Sequence, residues 1–251
     1  MNYGLQLYSV RDASKENYDH ALRQVAAMGY KMVETAGYYN HSAMEICSWI
    51  KKYGLTISGA HIGLQTLVKD LESVIAYHKD LKCKDIIIPV APCSTNEEVA
   101  YLVEQINYIQ PVLEKEGMQL HFHNHSKEFI PNKDGQLVEE ILKKETNVLF
   151  QIDTFWVFNA GLDVIEVLKQ YKDRIRCLHL KDGIPQDWND PESKAKGLSI
   201  GRGKVPVAEI LDYAKANRLT VVVESEELEP TGLEEVQRCM DYLKVIDGGT
   251  F

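Results

Sequence analysis

Eight times along this chain a short β-branched or apolar run is followed by a longer stretch of helical period, and that alternation limits the fold more than any other feature. The runs are Gly4–Tyr8, Lys31–Glu34, Thr56–His61, Asp85–Val90, Gln119–His123, Val148–Ile152, Ile175–Leu180 and Leu219–Val223. Ile86-Ile87-Ile88 and Val221-Val222-Val223 are solid apolar blocks, as suits parallel strands covered on both faces. Between the runs, apolar residues recur at helical spacing. Tyr18, Leu22, Val25 and Ala26 share one face, as do Leu67, Leu71, Val74, Ile75 and His78. Val207, Ile210, Leu211 and Ala214 form another such face, and Leu233, Val236, Met240 and Leu243 a fourth. Gly29, Gly54 and Gly117 each stand directly before an apolar strand start, where a left-handed residue stops a helix.

Eight units in 251 residues give roughly 31 residues each, the length of a βα unit. The fold class expected is therefore α/β, a single (β/α)8 TIM barrel filling one domain over residues 1–251, with no Gly-, Pro- or Ser-rich linker. A doubly wound open sheet would carry GxGxxG after its first strand, whereas here the strand runs into Leu7-Tyr8-Ser9-Val10-Arg11-Asp12.

Composition excludes several functions. Lys plus Arg number 28 against 37 Asp plus Glu, a net charge of −9, so the chain lacks the broad basic field of a nucleic-acid binder. No run of eighteen apolar residues is present to cross a membrane. The opening Met1-Asn2-Tyr3-Gly4 lacks the basic stretch and apolar core of a secretory leader. Five scattered cysteines without a CxxC pair fit a reducing setting, and a cytoplasmic protein is expected.

In such a barrel the chemistry sits at the carboxyl ends of the strands. Those ends offer Gln6, Glu34, His61, then His123 with Asn124 and His125, then Asp153, His179 with Lys181, and Glu224. His123, Asp153, His179 and Glu224, from the last four strands, are the ligand types of a nitrogen-and-oxygen site for a divalent metal ion: manganese, magnesium, cobalt or zinc. Cys177 lies two residues deeper than His179 and reads as core.

The segments Gln119-Leu120-His121-Phe122-His123-Asn124-His125, Asp153-Thr154-Phe155-Trp156, His179-Leu180-Lys181-Asp182 and Glu224-Ser225, with the opening Leu5-Gln6-Leu7-Tyr8-Ser9-Val10 and the late Gly201-Arg202-Gly203-Lys204-Val205, together resemble the xylose isomerase-like barrel superfamily of sugar isomerases and epimerases. The resemblance implies a divalent metal held by the fifth to eighth strands, and a substrate with adjacent carbonyl and hydroxyl groups. It carries ligand roles onto Asp153, His179 and Glu224. The fifth strand departs from the pattern, since His123 stands where family epimerases place a ligating, proton-shuttling Glu. Trp156 likewise stands where several ketose epimerases have a substrate-binding His.

The reaction expected first is isomerisation or epimerisation of a small-molecule carbohydrate through a metal-stabilised enediolate, with Glu224 as base. Glu128 is the first candidate for the second proton carrier, followed by His125 or Lys181; Lys181 could instead donate to the developing oxyanion. Gln6, Glu34, His61, His125, Trp156 and Arg202 are candidates for substrate contact. The same apparatus supports a lyase that dehydrates an inosose or cleaves a 3-keto-glycoside, because an enolate expels a leaving group one carbon further on. A sugar-binding barrel without catalysis is a third reading. An abasic-site nuclease on this barrel would need three zinc ions and a basic face, against the charge of −9.

Blander roles stand beside these. Asp153 could cap a helix, His179 could be a satisfied core histidine, and Glu226 and Glu227 read as a solvated acidic turn. Gly201-Arg202-Gly203-Lys204 lacks the spacing of a phosphate loop. The polar stretch Asp182–Gly203, with Trp188, reads as a mobile or interface loop at the mouth of the site. The barrel face opposite the site leaves a homo-oligomer open.

Overall fold

The computed structural model describes residues 1–248. Its strands in chain order are β1 (Tyr3–Gln6), β2 (Met32–Ala36), β3 (Thr56–His61), β4 (Asp85–Ile88), β5 (Gln119–His123), β6 (Leu149–Asp153), β7 (Ile175–Leu180), β8 (Asp182–Ile184), β9 (Lys196–Leu198) and β10 (Thr220–Val223). All but β8 and β9 close one barrel in the order β1-β10-β7-β6-β5-β4-β3-β2, every neighbouring pair parallel. The expected (β/α)8 barrel is thus present, with β10 as its eighth strand. The solid apolar blocks behave as their composition demands. Ile86, Ile88, Val221, Val222 and Val223 are fully buried between the barrel interior and the surrounding helices. Among the described residues no helix is long and apolar enough to cross a membrane.

Element ends follow local chemistry. Gly29, Gly54 and Gly117 have φ of 115°, 67° and 73°, the left-handed stops their positions predicted. The first strand is shorter than the run Gly4–Tyr8. The Gln6 side chain accepts a hydrogen bond from the Tyr8 amide at 3.1 Å and turns Leu7–Val10 into a 3-10 helix. The face from Leu67 to His78 is divided at Asp70, whose carboxylate caps Leu71–Leu81 through the Ser73 amide.

The expected loop over Asp182–Gly203 is instead anchored by the antiparallel hairpin β8–β9. Its base is a clasp around one carboxylate. Asp182 Oδ1 accepts from the amides of Gly183 at 2.8 Å and Val205 at 3.1 Å, and Oδ2 from Gly201 and Gly203, each at 2.9 Å. A side chain at Gly203 would collide with Asp182 Oδ1, and Gly201 has φ of 86°. The Gly201-Arg202-Gly203 pattern is therefore the wrapping of a buried aspartate, a backbone nest whose anion is supplied by the chain itself.

A buried carboxyl in the helical layer lacks compensation. Glu139, in the first turn of the helix Val138–Glu145, is 1% exposed and neither carboxyl oxygen has a hydrogen-bond partner. Burial, then the charges of Glu128 and Glu140, hold its pKa well above the usual carboxylate range, against the pull of Arg174. A carboxyl whose folded pKa is raised favours the native state at acid pH, and that contribution is lost as pH rises through the folded value. Glu139→Met is expected to stabilise the protein by about 1–3 kcal/mol near pH 8 and by less near pH 5. Thermal unfolding at the two pH values checks this, and an equal gain at both would rule out the ionisation as its source.

Candidate functional site

Inward-pointing residues of alternating register fill the upper barrel with polar groups rather than the usual branched aliphatics. Glu34 on β2 is the centre of this layer and is fully buried. Its carboxylate accepts from Gln6 Nε2 at 2.7 Å, Gln151 Nε2 at 2.6 Å and His179 Nε2 at 2.7 Å, and lies 2.9 Å from His61 Nε2, which bonds Gln151 Oε1 at 2.8 Å. Gly59 makes room for it, because a Cβ there would meet Ile87 Cδ1 at 2.5 Å and Glu34 Oε2 at 3.2 Å. Burial alone would raise the Glu34 pKa, yet the imidazoles of His179 and His61 hold it well below the carboxylate range. Gln6 and Glu34, expected as substrate contacts, are fully enclosed and act beneath the site instead. Each satisfies a neighbour that would otherwise be buried without a partner.

Above this layer His123 on β5, Asp153 at the end of β6, His179 on β7 and Glu224 just after β10 converge. One ligand atom from each lies within 4.8 Å of the others, and all four residues are buried. His123 Nδ1 faces the Pro89 carbonyl at 3.3 Å, which places the ring proton there and leaves the Nε2 lone pair free. That lone pair points toward Asp153 Oδ2 at 3.6 Å and Glu224 Oε2 at 4.0 Å. Both His123 Nε2 and Asp153 Oδ2 are buried without a hydrogen-bond partner. Three electron-rich atoms facing one another among buried side chains repel unless a cation lies between them, so the donor set fits a divalent metal ion. A second group, Glu34 with His61 and His179, is also close enough to hold an ion, but its atoms already satisfy one another.

The electrostatics of His123 agree, while at His179 burial is outweighed by Glu34 and Glu224, which raise its pKa to about 10, so a bound cation would have to displace its second proton. Burial, followed by the repulsion of His179, pushes the His123 pKa well below that of free imidazole, keeping it a neutral ligand. Asp153 is raised to about 6, by burial first and then by Glu224, against the pull of Lys181 and His179. Its two oxygens divide the roles foreseen for it. Oδ1 accepts from the Trp156 amide at 2.9 Å and caps Thr154–Asn159, while Oδ2 has no partner and is free to ligate. His179 presents Nδ1 to Glu224 Oε2 at 3.3 Å and donates from Nε2 to Glu34, the carboxylate–histidine arrangement that fixes a ligand's tautomer and aim. Removing that orienting charge with Glu34→Gln is expected to weaken Mn²⁺ binding by about 10–100-fold. Titration calorimetry on folded variant protein measures it, and an unchanged affinity would show that Glu34 does not aim His179.

Lys181, only 1% exposed, completes the floor. Its ammonium lies 3.5 Å from Glu224 Oε2, pairs with Glu226 and sits 4.8 Å from the Trp156 ring centroid. Burial would discharge it, but Glu224, Asp153 and Glu226 outweigh burial and raise its pKa, so it remains a cation. Glu224 is held well below the carboxylate range, because Lys181 and His179 overcome its burial.

A cavity of about 420 Å³ opens above these groups, with His61, His123, His125, Glu224 and Glu226 in its wall and Tyr8 and Val90 at its rim. Two expected site residues, and one that was not expected, stand differently. Glu128 is fully buried with its Oε2 on the His125 amide at 2.8 Å, as the cap of the 3-10 turn Ser126–Phe129, and does not line this cavity. Arg202 borders a separate cleft with Ser199, Glu229 and Arg238. Glu226, read as a solvated turn, lines the cavity and pairs with Lys181. The signal for it was the i, i+2 step from Glu224, and the same step back from Asp153 points to Gln151.

The closed (β/α)8 barrel thus gathers two imidazoles and two carboxylates around one point at its carboxyl-terminal mouth. The chain belongs to the xylose isomerase-like TIM barrel family, which it matches over residues 22–244. It is 26% identical over 268 residues to the inosose dehydratase of Mesomycoplasma hyopneumoniae (strain 7448), covering 91% of this chain and 88% of that one. The inosose dehydratase of Clostridium perfringens (strain 13 / Type A) is 24% identical over 235 residues, covering 80% and 77%. Among solved structures, a sugar phosphate isomerase/epimerase from Parabacteroides distasonis superposes with a TM-score of 0.82 at 24% identity over 97% of this chain and 98% of that one. A probable 3-DHS dehydratase of Bacillus anthracis gives 0.77 at 14% identity over 97% and 99%. The solved structures share the fold.

Proposed function

We propose that this chain is a divalent-metal-dependent lyase. It removes the proton beside the ketone of a sugar or cyclitol and releases the oxygen substituent one carbon further on. The observation that carries this reading is the pairing at the mouth of β7 and β10, one carboxylate, Glu224, and one buried ammonium, Lys181, 3.5 Å apart. Across the cavity the fifth strand presents the neutral ligand His123 rather than a second carboxylate. Elimination needs one base and one proton donor, whereas epimerisation needs a proton carrier on each face of the ring. The names of the similar curated proteins, inosose dehydratases, agree with elimination.

A bound divalent ion would be held by His123, Asp153, His179 and Glu224 and would supply Lewis acidity to the ketone oxygen. Glu224 takes the proton from carbon, and the electron pair of that C–H bond becomes the enolate. As the enolate collapses to the conjugated ketone, the C–O bond breaks and Lys181 protonates the departing oxygen. The proton on Glu224 then restores the ammonium, so the balance is loss of water or an alcohol. The coupling aids the timing. Glu224 is the strongest charge raising the Lys181 pKa, and neutralising it makes Lys181 a better acid at the moment a leaving group needs one.

Glu226 favours a second reading, since a further carboxylate in the same cavity could return a proton to carbon and make the chain an isomerase or epimerase. Incubation with Mn²⁺ and a panel of inososes, 3-keto-glycosides and ketoses in D₂O decides between them. Loss of water or alcohol to give the conjugated ketone is expected, with deuterium beside the ketone in recovered substrate. An epimer or isomer carrying deuterium would replace this reading with the second one. Absence of exchange from the whole panel, with Mn²⁺ shown to be bound, would overturn both in favour of a sugar-binding barrel.

A further inference from the structure

A second cavity, of about 530 Å³, adjoins the first through Val90 and His125, which line both. Its walls are carbon-rich: Ile130 and Pro131 from the loop after β5, Trp156 from the helix after β6, and Trp188 from the tip of the β8–β9 hairpin. Trp188 is 54% exposed, yet its indole is fixed, because Nε1 donates to the Asn159 carbonyl at 2.7 Å. Asn159 is itself buried. It donates to Ser126 Oγ at 2.8 Å and accepts from the Gln186 amide at 2.8 Å, while Ser126 Oγ donates to the Trp156 carbonyl at 2.8 Å. Three successive loops are thus locked by one hydrogen-bond chain into the walls of an open cavity that the chemistry at Glu224 does not use. Where the cavities join, His125 Nδ1 and Trp156 Nε1 are buried with no partner. Such groups persist at little cost when a ligand supplies the missing bonds.

We propose that the outer cavity is a binding site for a flat apolar substituent carried by the sugar whose ring occupies the inner one. The substrate class is an aryl glycoside rather than a free monosaccharide. The aryl group stacks on Trp156 and Trp188, and the linking oxygen or a ring hydroxyl meets His125 Nδ1 or Trp156 Nε1 at the waist. Two lysines stand in the wall, and of these Lys127 already donates to the Ala91 carbonyl at 2.8 Å and lies 3.7 Å from Glu128 Oε1, so an anionic tail is tested against the aryl group directly. The proposal rests on the preceding reading for the ring in the inner cavity, but its test does not need turnover.

Methyl and phenyl β-glucosides, which lack the ketone and do not react, are titrated calorimetrically into Mn²⁺-loaded protein, with glucose 1-phosphate as a third probe. The phenyl glycoside is expected to bind at least about 10-fold more tightly than the methyl one. Trp188→Ala should shrink that ratio to about 2–3-fold while leaving Mn²⁺ affinity and the methyl glycoside unchanged, and Ile130→Ala should shrink it partway. Equal affinities, an aryl preference that survives Trp188→Ala, tightest binding of the phosphate, or no binding of either glycoside would each overturn the proposal. An aryl preference without deuterium exchange from any ketone would leave this site standing and remove the reaction. Exchange without the preference would do the reverse.

Discussion

Glu224→Gln is expected to lose about 10³-fold or more in turnover, with deuterium exchange falling in step. The amide keeps the shape and can still offer an oxygen ligand, but it cannot take the proton from carbon. The carboxylate is also one of four converging metal ligands, so the variant should bind Mn²⁺ more weakly, and the measurement must be made at saturating metal. Single-turnover exchange in D₂O under that condition separates the two losses. If exchange returns to near the wild-type rate once metal is saturating, Glu224 only ligates and the base lies elsewhere, with Glu226 next in place.

Lys181→Met should have an effect of different character. The flexible thioether fits the volume of the lysine stem and leaves Glu224 without its closest positive partner. Elimination is expected to fall by about 10²–10⁴-fold, while exchange of the proton beside the ketone falls less, because the base remains. The ratio of deuterium incorporated to product formed should therefore rise above that of the wild type. NMR of recovered substrate and product gives both quantities in one sample. A parallel loss of exchange and elimination would mean that Lys181 stabilises the enolate and does not serve the leaving group.

The barrel was legible because its signal is long and repeated. Apolar runs separated by helical faces recur through the whole chain, and strand boundaries read from them fall within a few residues of those in the structure. The four converging residues were legible for a related reason, since each ends or follows a strand and the barrel brings strand ends together. The misassignments share a physical cause. Gln6 and Glu34 also end strands, but whether a side chain there reaches the cavity or the layer below depends on stagger between strands, including the irregularity at Val33/Glu34, and alternation within one strand does not reveal it. Three residues on from His125 is the spacing of a cap as well as of a nearby functional group, and Glu128 takes the cap. Glu226 was set aside for its acidic neighbours, although its partner, Lys181, is 45 residues distant in sequence.

The clasp around Asp182 has a consequence for how such a chain can diverge. Four backbone amides hold that carboxylate directly beside Lys181, so the register of the ammonium is set at the root of the hairpin and not by its tip. Residues 185–195, which include Trp188, lie beyond the clasp and are mostly exposed. Exposed tips on a rigid base tolerate insertion and exchange. The hairpin is thus a detachable module, whose eleven tip residues can be exchanged while Lys181 and Glu224 stay in register.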